Sequence, residues 1–350
     1  MSRKIDPADA FMEAEKPQMP ETLEQQNEDS VPRDWKGAPR IRRDDGKLHT
    51  YYRASGFGNL IEDDYHLVLW QKRQVARGMA LDARRLVPTA LALKDIDDLW
   101  IKHPKHLKDG LNSIVDQAEY AAGNNLKSEL GTQIHAATEF IDRGDDLAWN
   151  LREFSPERRR HLIERADAYY RFTRDIGFKY SEIEQFGVQD EVWVAGTTDR
   201  IGWVPFYPET PQCVIDVKTS SSMEFAGTGF AVQLAVYARS DRYDGRTETR
   251  TPREGMNLKR GLIIHVDREV GGPVSLAKVD IETGWQHALI AREIVLARRI
   301  GRDLVLDMTE EEMAILTAPS RQALKDLLGT GAGWTRELRE LANERWRVVA

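Results

Sequence analysis

Cysteine is almost missing from this chain. Cys213 stands alone among 350 residues, which excludes an intramolecular disulfide, a four-cysteine zinc site and a self-contained iron–sulfur cluster, because each needs more than one thiolate. A reducing compartment is the expectation. No apolar run approaches the ~20 residues that span a bilayer, and the opening MSRKIDPADAFMEAEK lacks the apolar stretch of a signal peptide. No membrane partner and a cytoplasmic location are therefore expected. No GxxxxGK[ST] loop is present to cradle a nucleotide, so no motor is encoded. A basic excess is missing as well: the net charge is −7, an unpromising total for binding a polyanion. Its distribution matters more. Residues 1–30 hold eight acids and three bases, so the remainder is nearly neutral.

What is present is a globular profile, with 41% hydrophobic and 31% charged residues, enough to build a sizeable core in one large domain with extensions. Residues 1–45 are rich in Glu, Gln, Asp and Pro without a sustained period. They read as an acidic, disordered tail ending in the basic segment Arg40-Ile41-Arg42-Arg43. Such a tail is solvated and inert, or else it occupies a DNA channel or recruits a partner. Globular text starts at Tyr51. Helical spacing runs through DDYHLVLWQKRQVARGMALD and roughly 87–145, and residues 156–175 form an amphipathic helix with Ser155 as N-cap and Pro156 at the first helical position. The period then changes. Residues 181–204 and 212–218 read as strands separated by a turn at Pro205–Pro211. A helix follows over about 229–241, then the strands GLIIHV and SLAKVDI, a helix over about 282–302 and a helical C-terminal extension, 306–350. The order predicts an α/β domain with one mixed sheet.

The chemistry concentrates in Val214-Ile215-Asp216-Val217-Lys218-Thr219. Side chains alternate along a strand, so Asp216 and Lys218 share one face while Ile215 and Val217 take the other. On the strand before it stands Gly196-Thr197-Thr198-Asp199-Arg200. If the two strands pair, both carboxylates point at one site, as a hard divalent cation requires. The bland alternative is a surface hairpin with a salt bridge. Gly131-Thr132-Gln133-Ile134-His135 lies in a helical pattern with Glu139 one turn later, so His135 either pairs with Glu139 or completes a metal site. Gln233 and Tyr237, four apart, share a helix face from which they would contact a DNA backbone, support Lys218, or simply form a polar edge. Glu184 is a further carboxylate near the metals or a solvent-facing strand acid.

The ordered series GTxxH at 131–135, Glu184, GTTDR at 196–200, VIDVKT at 214–219 and QxxxY at 233–237 resembles the RecB-like branch of the PD-(D/E)XK nuclease superfamily. Within that branch the chain is similar to the stand-alone exonucleases of bacteriophages. YYRAS and the LxLWxxRxxxxG pattern at 67–78 add weaker support. The resemblance implies a restriction-endonuclease-like core, a central mixed β-sheet flanked by helices with N- and C-terminal helical extensions, occupying 46–305 with its motif core at 131–240. It also implies Mg2+ or Mn2+ on His135, Asp199, Asp216 and the Val217 carbonyl, Lys218 as the catalytic lysine, and Gln233 and Tyr237 supporting the site. The four-cysteine iron–sulfur cluster of some relatives is excluded by Cys213 standing alone.

The expected activity is exonucleolytic hydrolysis of DNA in phage recombination, replication or degradation. The alternatives are a structure-selective or nicking endonuclease and a catalytically inactive DNA-binding accessory protein. A homo-oligomer enclosing DNA and a single-strand annealing protein as partner are expected on the same resemblance. Arg152, Arg158, Arg159, Arg160, Arg171 and Arg174 lie in a stretch, 151–180, that holds eight bases against five acids. A subset would engage phosphates, the rest forming a solvated helix face. Trp193, Trp203 and Tyr207 either stack on bases or pack locally.

Overall fold

The computed structural model describes residues 30–93, 105–207, 212–219, 227–301, 308–330 and 334–349. The chain divides into two units, Met1–Glu293 and Ile294–Ala350.

The first unit begins with a hairpin of β1 (Arg40–Arg42) and β2 (Leu48–Thr50), followed by β3 (Tyr52–Arg53) and the short α1 (Ala54–Gly58). Four longer helices come next among the described residues: α2 (Tyr65–Leu81), α3 (Ala83–Leu91), α4 (Lys105–Ala121) and α5 (Asn124–Arg143). The single turn α6 (Leu147–Asn150) leads to α7 (Pro156–Ile176). Then come β4 (Lys179–Gln189), β5 (Val194–Trp203), β6 (Cys213–Lys218), α8 (Gly227–Ala238), β7 (Asp241–Asp244), β8 (Thr249–Thr251), β9 (Arg260–Val266), β10 (Val274–Asp280) and α9 (Ile281–Ile300).

Eight strands form one sheet in the order β10-β9-β6-β5-β4-β7-β8, with β3 pairing to β5. The β6–β9 and β3–β5 pairs are parallel and the others antiparallel, so this is an α/β architecture around a large mixed sheet. The parallel β6–β9 pair requires a crossover, which α8 supplies. Alternation sorts the faces. Ile215, Val217, Leu262 and Ile264 pack with Ile134 of α5 and Leu162 and Tyr169 of α7. On the opposite face, Gly261 sits against Val214 of β6, Leu234 of α8 and Ile281 of α9. Nearly every residue of α8 from Val232 to Ala238 is buried, as expected for a helix apolar all round. Local signals also act as the sequence suggests at α7: Ser155 accepts the Arg158 amide, Pro156 opens the helix, and Gly177 at φ 89° closes it.

Two local expectations need correction. The tail expected over 1–45 overlaps the fold: Val31 and Ile41 are buried and β1 pairs with β2, because Ile41 anchors the hairpin by packing with Tyr51 and Phe186. Residues 1–29 lie outside the described residues. The helix expected to run to 241 ends at Ala238, where the Ser240 hydroxyl caps the Tyr237 carbonyl. Asp241–Asp244 then forms the short strand β7 between β4 and β8, which carries only one buried residue, Tyr243, and so shows no period. Of the turn at 205–211, residues 208–211 lie outside the described residues.

Gly78, the last position of the LxLWxxRxxxxG pattern, brings α2 against α4. A Cβ there would stand 1.7 Å from the Ala118 carbonyl oxygen. Gly78→Ala gains about 1 kcal/mol of helix propensity, but overpacking against backbone costs about 3 kcal/mol or more. A net loss of about 2 kcal/mol is expected in urea denaturation. An unchanged or raised midpoint would refute the close crossing.

In the second unit, α10 (Glu310–Thr317), α11 (Arg321–Thr330) and α12 (Arg336–Val348) pack through Ile315, Leu324 and Ala342. Thr309 and Glu312 form a complete capping box at α10. Among the described residues no helix is long and apolar enough to cross a membrane.

Candidate active site

Register brings three acids into one row. Between the β4–β5 pairs Ile183↔Arg200 and Gln185↔Thr198, Glu184 faces Asp199; continuing the β5–β6 ladder one step beyond Arg200↔Ile215 sets Asp199 opposite Asp216. Like charges directly across strands destabilise a sheet, so this row needs positive charge. The ladder between β5 and β6 stops at Arg200↔Ile215. Asp199 Oδ2 then accepts the Val217 amide hydrogen at 2.8 Å, occupying the place where a strand carbonyl would pair.

Positive charge arrives from both sides. His135 of α5 places Nε2 at 2.9 Å from Asp199 Oδ2 and 3.9 Å from Glu184 Oε1. It does not pair with Glu139, which binds Arg143 at 2.9 Å instead. Two motif glycines permit the close packing: a Cβ at Gly131 would lie 2.7 Å from Thr219 Oγ1, and one at Gly196 would lie 3.1 Å from the Tyr237 hydroxyl. Lys218 Nζ lies 2.8 Å from Asp216 Oδ2 and over the Phe230 ring at 5.2 Å from its centroid. Gln233 donates to Asp216 Oδ1 at 3.4 Å, so it supports Asp216 and not Lys218. Tyr237 is buried in the same helix beside Gly196.

Sequence reasoning passed over the groups beneath this row. Arg200, fully buried, donates to Asp142 Oδ2, Glu184 Oε1 and the Asp199 carbonyl, each at 2.7 Å. Asp142 also accepts from the Tyr169 hydroxyl at 2.7 Å. Arg200 was visible as the last letter of GTTDR. Asp142 is seven residues after His135, on the same helix face.

Titration follows from this packing. Burial opposes a charge on His135, but Asp199, through its charge and hydrogen bond, and Glu184 outweigh it and push the imidazole up to about 9. Burial and the Asp199 charge push Glu184 up to about 7 and Asp216 up to about 6. Asp199 goes the other way. Burial opposes ionisation, yet His135, Lys218 and the Val217 amide hold it well below the usual carboxylate range.

The ligand atoms of His135, Glu184 and Asp199 lie within 4.8 Å of one another. Asp216, expected among the ligands, is not in that group, and its carboxylate is engaged by Lys218 and Gln233. Glu184, left open between ligand and solvent-facing acid, is inside it and only 14% exposed. The donor set fits a divalent cation: carboxylate oxygens suit Mg2+ or Mn2+, and the imidazole suits a first-row transition ion. Asp216 Oδ2 adds a second sign. It is buried and accepts no well-directed hydrogen bond despite the nearby ammonium.

A pH dependence follows. Without metal, the folded chain holds protons on Glu184, Asp216 and His135 above their ordinary ranges, so it binds more protons than the unfolded chain and stability falls as pH rises. The two acids act between their ordinary carboxylate range and about 7, and His135 between about 6.5 and about 9. Metal competes with those protons and stabilises by about 2.7 kcal/mol at a hundredfold excess over Kd. Thermal melts from pH 5 to 9 should decline without metal and recover most at the alkaline end with Mn2+. A flat metal-free profile would count against the coupled cluster.

The arginines of 151–180 are partly committed elsewhere: Arg159 donates to the Leu151, Arg152 and Phe154 carbonyls, and Arg174 pairs with Asp175. Trp193 and Trp203 take Arg43 and Lys179 over their rings, and Tyr207 packs edge-on with Phe206. No family model and no curated protein matches this chain.

Proposed function

We propose that the chain is a divalent-metal-dependent deoxyribonuclease of the RecB-like branch of the PD-(D/E)XK superfamily, acting as an exonuclease. One observation carries the reading: Glu184, Asp199 and Asp216 stand abreast on three adjacent strands, with His135 closing one side and Lys218 the other. The order of helix, three-strand meander, crossover through α8 and the β7–β8 pair, and parallel strand fits a restriction-endonuclease-like core.

His135, Asp199 and Glu184, with Asp216 adjacent, would hold Mg2+ or Mn2+. When bound, such an ion polarises the scissile phosphate and lowers the pKa of its water. The chain's own residues do the rest. Lys218 keeps its proton, because Asp216 and Asp199 outweigh its burial; its ammonium orients the nucleophile and neutralises charge growing on the phosphate oxygens. Gln233 fixes the Asp216 carboxylate, and Asp199 is anchored by the Val217 amide.

Incubation of linear duplex and covalently closed circular DNA with the protein, in Mg2+ and in chelator, tests this. Metal-dependent loss of the linear DNA alone supports the exonuclease. Cutting of the closed circle would make it an endonuclease, and DNA binding without hydrolysis of either would make it an accessory protein. Phage recombination, replication or degradation, beside an annealing partner, is the setting this reading suggests.

A further inference from the structure

A second feature lies on the α8 face of the sheet. Asp216 is in register with Ile263 of β9, and Ile263 with Ala277 of β10. Two inter-strand spacings therefore separate Asp216 from Ala277, roughly 10 Å. Over Ile263 and Ala277, under the first turns of α8 and α9, opens a cavity of about 390 Å3, within the ~300–1,000 Å3 usual for small-molecule pockets.

Its chemistry suits a flat heteroaromatic ring. Phe230 and Ala231 join Ile263 and Ala277 in lining it. Phe230 is also the ring beneath Lys218 Nζ, so one aromatic side chain borders both the cavity and the catalytic lysine. His287, half-buried, lines the cavity too. Thr228 and Thr283 line it as well. An apolar slot with one open polar edge, about one nucleotide's reach from the reacting phosphate, matches a base that has left its stack.

We propose that this cavity receives one unpaired nucleobase of the strand whose phosphate lies at the metal centre, Phe230 and Ala277 contacting its faces and His287 its edge. The identity of the occupant rests on the nuclease reading. The substrate class follows: a single strand or a frayed duplex end, since a base inside a duplex cannot enter.

The test uses the full chain with Ca2+ replacing Mg2+ and single-stranded 12-mers carrying 2-aminopurine at each position in turn. One position is expected to change its fluorescence on binding. Ala277→Phe, which fills the cavity, should abolish that change and weaken binding about tenfold. Thr283→Trp narrows the cavity from an exposed position on α9 and should act alike if the first variant does not fold. A response at no position, or one unchanged in a folded variant, overturns the proposal. Hydrolysis by the wild-type chain is scored separately with Mg2+. Hydrolysis without a base response removes the cavity's role and leaves the nuclease; a base response without hydrolysis does the reverse.

Discussion

Replacing Lys218 by alanine is expected to slow DNA hydrolysis about 10³-fold while changing Mn2+ affinity by no more than about threefold. The two effects separate because Lys218 is not among the grouped ligand atoms of His135, Glu184 and Asp199. Its ammonium reaches Asp216 and stays charged in a buried setting. Removing one preorganised charge donor from such a place costs about 4 kcal/mol of transition-state stabilisation. Asp199→Asn should differ in kind, losing both hydrolysis and metal. Asp199 is the middle carboxylate of the row, and its Oδ2 serves both His135 and the Val217 amide; a neutral amide oxygen can accept both bonds but lacks the charge, and its NH2 replaces the second carboxylate oxygen. Calorimetric metal titration beside single-turnover hydrolysis distinguishes them. A Lys218→Ala enzyme as fast as wild type would remove the mechanism.

Arg200→Met is expected to destabilise the protein by about 3–5 kcal/mol, the range for a buried charge stripped of its partner. Methionine fills much of the volume but leaves Asp142 with only the Tyr169 hydroxyl and Glu184 with only the more distant His135. Burial already raises both carboxyls. The deficit should therefore shrink as pH falls from 7 to 5 and the acids take up protons. Mn2+ should recover part of it by supplying charge at Glu184. Urea denaturation across that range checks the expectation, and a loss below about 1 kcal/mol at pH 7 would show that Arg200 bears little of the load.

Much of the central sheet was legible because its middle strands are short, nearly continuous buried runs rich in Val and Ile. Cys213–Lys218 and Arg260–Val266 fall within a residue or two of the expected strands, and α7 begins at the Pro156 that its cap chemistry marks. The short outlying strands were not legible. The strands β1, β2, β7 and β8 are three or four residues long with at most one fully buried apolar side chain each, so backbone pairing defines them and no side-chain period does. In the site, the Asp216–Lys218 pair and the approach of His135 to Asp199 could be expected from motifs and facing. The partners of Gln233 and Glu139 could not, since a helix face does not say which of two nearby groups a side chain reaches.

The sequence by itself determined that Asp216 and Lys218 share a face, that His135 is presented by a helix, and that no thiolate cluster can form. These follow from local periodicity and composition, which need no knowledge of neighbouring strands. Only the tertiary structure decided that Glu184 joins Asp199. The β4–β5 register shifts between Tyr180 and Glu182. Continued without that bulge, the Lys179↔Trp203 and Tyr180↔Gly202 pairing would set Ile183 opposite Asp199. One inserted residue exchanges an apolar side chain for a carboxylate in the row, and strand pairing at a distance, not the local pattern, sets where that insertion falls.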